Sequence, residues 1–132
     1  MLANFEKRYF KDGAKVYLGK YYDLKSMAHW HNEIELIYVR KGRLKIGVNS
    51  ETYYASEHDL VLCNSGDIHY CDSENQSTIT DILIFSHELV RSVNNSFRLV
   101  SPYICALDLE KNNLDVNNLL TSIANELKST MM

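Results

Sequence analysis

The sequence predicts a mainly β domain, a small barrel or sandwich, followed by α-helices. Three observations carry this. Short runs alternate apolar and polar residues through roughly the first 85 positions. Turn signals containing glycine or asparagine separate those runs. After Phe85 the apolar spacing changes from two to three and four, the helical period.

Each element follows from the local pattern. "AKVYLG" places Val16 and Leu18 on one side of a strand, and "EIELIYV" is the next strand. Gly42 then marks a turn before "LKIGV", whose Leu44, Ile46 and Val48 share one face. Two alternating runs around a short glycine turn predict a hairpin. "NSE" at 49–51 is another turn, and "TYYA" a short strand. "DLVLCN" and "DIHYC" are two more strands separated by "SG". "STITDILIF" closes the series after the polar loop "DSENQ".

Beyond Phe85, "SHELVRSVNNSF" spaces Leu89, Val93 and Phe97 four apart, with Ser86 as N-cap, and predicts a short helix. "PYICALDL" reads as either a strand or a connector. "LDVNNLLTSIANELKS" is the clearest helix, with an apolar stripe of Val116, Leu119, Leu120, Ile123 and Leu127. Asp115 suits its cap, and Leu114 suits a staple onto Leu119. The stripe needs a cover, which is this domain's own sheet, a second copy in a homodimer, or a further segment. No repeat or linker interrupts the chain. The expectation is one domain over 1–132, with the barrel at about 10–85 and the helical tail at about 86–130.

Composition narrows the function classes. The 132 residues carry a formal net charge of -3. The one basic cluster, "RKGRLK" at 40–45, surrounds the glycine turn and reads as a solvated hairpin end. A phosphate-gripping nucleic-acid surface is not expected of this chain itself. Three cysteines, with no C-x-x-C pair, predict buried reduced thiols and a cytoplasmic protein. The N-terminus lacks a signal-peptide core, and no apolar run reaches membrane-spanning length.

The chemistry concentrates in "HWHNEIE", residues 29–35. Side chains two apart on a strand share a face, so His29, His31, Glu33 and Glu35 point one way unless a bulge intervenes. Ile37 and Val39 continue that face; Trp30, Ile34, Leu36 and Tyr38 take the other. A face that begins polar and turns apolar fits a barrel interior, wet at its mouth and packed at its base. His69 lies in a later strand and can oppose the first pair. Three imidazoles and a carboxylate suit zinc, iron, manganese or nickel. The same groups also suit direct hydrogen bonds to a hydroxyl-rich ligand. Glu33 reads as a rim residue, and Trp30 as packing under an N-terminal strand. Tyr53, Tyr54 and Tyr70 fall in predicted strands, and Tyr70, beside His69, joins the candidate ligand-binding set.

His29-x-His31, three residues, Glu35, six residues, Gly42 resembles the first motif of the cupin superfamily. A second, imperfect motif follows in His58, Asp59, Asn64, Gly66, His69 and Ser73. Its usual glycine, proline and asparagine positions are replaced. His58 stands where a turn glycine is usual, so it is expected to face solvent and to tolerate a positive φ. Asn64 keeps left-handed turn character. The fold implied is a cupin-type double-stranded β-helix, a jelly-roll barrel, with helices after it.

More narrowly, "HWHNEIELIYVRKGRLKIGVNSETYYASEHDLVLCNSGDIHYC" resembles the N-terminal effector-binding domain of AraC-type transcription regulators. That resemblance implies a non-enzymatic sensor with no catalytic residue. A small-molecule effector such as a sugar would bind at His29, His31, Glu35, His69 and Tyr70. It also implies a homodimer. DNA would be bound only through a C-terminal helix-turn-helix domain of roughly 100 residues, and no such pattern occurs in this chain. In cupin enzymes the positions of His29, His31, Glu35 and His69 ligate a metal. The alternative is therefore a stand-alone metal-dependent enzyme, a dioxygenase or an isomerase.

Overall fold

The computed structural model describes residues 3–5, 16–86, 103–113 and 115–130. Ten strands occur there: β1 Asn4–Phe5, β2 Val16–Tyr22, β3 His29–Trp30, β4 Ile34–Lys41, β5 Leu44–Val48, β6 Glu51–Ala55, β7 Leu60–Cys63, β8 His69–Asp72, β9 Ile79–Phe85 and β10 Tyr103–Ile104. Two helices follow, here termed α1 (Ala106–Lys111) and α2 (Val116–Thr130). The strands form two five-stranded sheets, ordered β1-β3-β8-β5-β6 and β10-β7-β4-β9-β2. From β3 to β9 the chain crosses repeatedly between them, so each sheet collects strands distant in sequence. This is the jelly-roll barrel of the cupin fold.

The expected hairpin around Gly42 is corrected by this pairing. β4 bonds to β7 and β9, while β5 bonds to β6 and β8, so the two alternating runs lie in different sheets. A register shift between Val39 and Lys41 marks a bulge at the end of β4. Bulges bend strands at such corners. Gly42 holds φ 84° there, and a Cβ on it would come 2.4 Å from the Ser77 carbonyl oxygen. "SG" at 65–66 likewise joins strands of opposite sheets. The "NSE" turn does make a hairpin, with Val48 opposite Glu51 and Asn49 at φ 55°.

Alternation on β4 separates two cores. Ile37 and Val39 face inward with Val61, Ile82, Ile84, Leu44 and Ile46 and fill the barrel. Tyr38 and Leu36 face outward, where they meet Leu109, Val116, Leu120 and Ile123 of the helices. Val116, Leu120 and Ile123 of the α2 stripe are therefore covered by the domain's own sheet. Leu120 is fully buried there, worth about 1.5–3 kcal/mol. Leu119 points away and is 57% exposed. Asp115 caps α2 by accepting from the Asn118 backbone N–H at 3.0 Å. Arg40 reaches across, donating from Nε to Asp81 and from Nη1 to Asn117, and ties α2 to the sheet.

"PYICALDL" resolves into β10 and α1. Asp59, buried at the start of β7, anchors both. Its carboxylate accepts from the Ser56 N–H, the Ala106 N–H and the Tyr103 hydroxyl. The helix expected from Ser86 onward, the Leu114 staple and the Leu127 side chain lie outside the described residues. No described helix is long and apolar enough to cross a membrane.

Candidate functional site

"HWHNEIE" is not one continuous strand. His29 and Trp30 belong to β3 in one sheet, residues 31–33 break the strand, and Glu35 belongs to β4 in the other. The expected shared face is corrected: the side chains converge because the chain crosses between sheets. His29 pairs directly with His69 across β3 and β8. His31 sits in the crossing segment, with its main-chain carbonyl accepting from the Gly66 N–H. One ligand atom from each of His29, His31, Glu35 and His69 lies within 4.8 Å of the other three. His31, Glu35 and His69 are buried.

The histidines are held in one orientation. Nδ1 of His29 lies 2.8 Å from the Met27 carbonyl oxygen. Nδ1 of His31 lies 3.0 Å from that of Glu33, and Nδ1 of His69 lies 3.0 Å from that of Asp67. A carbonyl oxygen only accepts, so each Nδ1 carries a proton and donates it. Each ring therefore turns Nε2 to the centre. There, Nε2 of His31 and of His69 stand 3.1 and 3.4 Å from Glu35 Oε1. A carboxylate also only accepts. A cation shared by these groups would satisfy both nitrogens and the carboxylate. Burial acts to raise the Glu35 carboxyl, but the His31 and His69 hydrogen bonds and charges outweigh it and hold it at about 2. This donor set, three oriented imidazoles and an ionised carboxylate, fits a divalent transition metal.

The floor of the centre is apolar. Cys63 stands opposite Glu35 across β4 and β7, and Cys71 follows His69 by two on β8. Burial, then the Glu35 charge, pushes both thiols well above their ordinary range, so they stay protonated. Both are buried free cysteines.

The remaining candidates fall elsewhere. Tyr70 stands apart from His29, His31, Glu35 and His69. It alternates away from His69 and Cys71, and its ring lies over Gly47 on the outer face of β8, where a Cβ on Gly47 would come 2.0 Å from it. Glu33 stays at the edge, with Oε1 3.9 Å from His31 Nδ1. Trp30 packs on Phe5 at 4.5 Å, beneath β1, which pairs with β3. His58 is exposed at φ 72° and stacks on Tyr38, whereas the left-handed residue of the next turn is Gly66, not Asn64. Sequence reasoning missed the three orienting carbonyls, because main-chain direction in a loop leaves no side-chain signal.

A model of the AraC-like ligand binding domain family matches residues 16–114. The chain belongs to that family. It is 30% identical over 82 residues to the uncharacterized HTH-type transcriptional regulator YdeC of Bacillus subtilis (strain 168), a match covering 61% of this chain and 28% of that regulator. The AraC-like fold is shared with the cupin domain of Schizosaccharomyces pombe Cnp3, at TM-score 0.54 and 11% identity over 64% of this chain and 62% of that one. An RmlC-like cupin from Shewanella frigidimarina gives TM-score 0.51 and 14% identity over 54% of this chain and 66% of that one. A salicylate 1,2-dioxygenase from Pseudaminobacter salicylatoxidans gives 0.50 and 16%, over 61% and 24%.

Proposed function

We propose that this AraC-like domain is the small-molecule sensor of a transcription regulator, with His29, His31, Glu35 and His69 as its effector site. The observation that carries it is the convergence of these four side chains at one end of the barrel interior, in a family defined by ligand binding. The orientation of the imidazoles supports a metal as part of the site. His29, His31, Glu35 and His69 would hold it, and it would supply a Lewis-acidic position for an oxygen of the effector. The chain's own residues do the rest. The Met27, Glu33 and Asp67 carbonyls fix the rings, Glu35 supplies the compensating charge, and the Cys63 and Cys71 thiols keep water from the floor. A sugar or an aromatic acid has suitable oxygens.

An effector changes transcription only if it binds one arrangement of the regulator more tightly than another. The output would pass through a helix-turn-helix domain of the same regulator. A metal-dependent cupin enzyme is the second reading, favoured by the three-histidine, one-carboxylate set itself.

The test combines metal analysis of the purified protein with a thermal-shift screen of sugars and aromatic acids, followed by product analysis of every hit. The sensor reading expects saturable stabilisation by a compound recovered unchanged, lost in Glu35→Gln. Turnover of that compound would establish the enzyme instead. Metal-independent stabilisation would remove the metal and keep the sensor.

A further inference from the structure

One seam of the barrel is closed by side chains. β6 ends one sheet and β10 ends the other, and no main-chain ladder joins them among the described residues. Tyr53 of β6 and Tyr103 of β10 meet there, with ring centroids 5.7 Å apart and planes at 16°. Both pack against the inner core. Ring stacking tolerates a range of offsets, whereas a ladder has a fixed register.

The two rings lie one inward row beneath the histidine centre. In one sheet His69 stands beside Val48, and the next inward row is Cys71, Ile46 and Tyr53. In the other, Glu35 stands beside Cys63, and the next is Ile37, Val61 and Tyr103. Tyr103 also holds α1. Its hydroxyl donates to Asp59 at 2.5 Å, and the other Asp59 carboxylate oxygen accepts from the Ala106 N–H at 2.7 Å. Ala106 opens α1, whose own N-cap residue, Cys105, makes no side-chain cap hydrogen bond. Asp59 supplies that cap from the start of β7. Leu109 of α1 packs in turn with Val116 and Leu120 of α2.

A metal in the centre would be held by His29 and His69 from one sheet and by Glu35 from the other. It would fix the spacing of the sheets at that end. At the seam, one row below, that spacing can change without breaking a ladder. We propose that Tyr103 relays metal occupancy of the histidine centre to α1, through its stack on Tyr53 and its hydrogen bond to Asp59. This rests on the sensor reading with a metal in the site, and it names α1 as the element that responds. The bound metal and α1 are then two coupled sites, and the coupling is a measurable free energy.

The test is amide hydrogen exchange of the chain, read by NMR with and without saturating zinc, after a titration that gives the zinc stoichiometry. In wild type, zinc should change the exchange rates of Ala106, Asp108 and Leu109 by about fivefold or more. Tyr103→Phe keeps the ring and loses the bond to Asp59. It should still bind zinc, with the zinc-dependent change at α1 reduced to about twofold or less. Tyr53→Phe keeps the stack and should respond as wild type does. A merely structural Tyr103 would give a different pattern: in Tyr103→Phe, α1 would exchange faster with and without zinc alike, and the zinc effect would stay whole. That result overturns the proposal. So does an α1 response that persists in His31→Ala. Zinc bound at the centre with no change at α1 overturns the relay and leaves the site reading standing. Absence of zinc binding overturns the metal in the site and the relay together.

Discussion

At the scale of single residues, the same amino acid at the same φ has different worth. Gly42 and Gly66 both hold φ 84°. A Cβ on Gly42 meets a backbone oxygen at 2.4 Å, while a Cβ on Gly66 meets nothing within 4 Å. Gly66→Ala should cost about 1–2 kcal/mol, the left-handed penalty alone. Gly42→Ala should cost clearly more, and denaturant unfolding of the two variants checks the difference. Tyr103 gives the pH prediction. Burial, then its hydrogen bond to Asp59 and that carboxylate's charge, pushes its hydroxyl up to about 12 from an ordinary 10. A raised pKa contributes stability that is complete below about 10 and is lost as pH climbs through about 12. The stability gap between wild type and Tyr103→Phe should therefore be constant at neutral pH and close over that alkaline window. Among site residues, spacing made His29, His31, Glu35 and His69 legible. Adjacency to His69 did not bring Tyr70 to the same cluster, because a neighbour of an inward residue on a strand faces out.

At the scale of elements, α2 was legible from its stripe, but only its neighbours decided which leucine mattered. Leu120 is 2% exposed and Leu119 57% exposed, although both belong to the stripe. Leu120→Ala should cost about 2–5 kcal/mol as a core cavity. Leu119→Ala should stay within about 0.5 kcal/mol of wild type. Equal losses would mean that a second copy covers Leu119, the homodimer that the resemblance implies. The Gly42 turn shows the limit of local pattern. Two alternating strands and a glycine look alike whether the turn closes a hairpin or turns a corner. The bulge before Lys41 and the long-range partners β7 and β9 decide it. Nothing within residues 34–48 states those partners.

At the scale of the whole molecule, the histidine centre joins the two sheets, since His29 and His69 come from one and Glu35 from the other. Anything bound there should stabilise the fold as a unit. A divalent metal at a hundred times its Kd adds about 2.7 kcal/mol. The wild-type melting temperature should rise with zinc, nickel, iron or manganese, while Glu35→Gln and His31→Ala should show little rise. An unchanged wild-type melting temperature with all four metals would argue for direct contact between effector and side chains. By itself, the sequence determined the class of fold, the strand alternation that makes two cores, and the four side chains of the centre. These are local or spacing properties, written in residue type and period. Only the tertiary structure decided which strands share a sheet, which way each imidazole turns, and that Tyr53 meets Tyr103 across a seam. Those depend on contacts between residues far apart in the chain, and on main-chain carbonyls, which every residue has and no sequence pattern distinguishes.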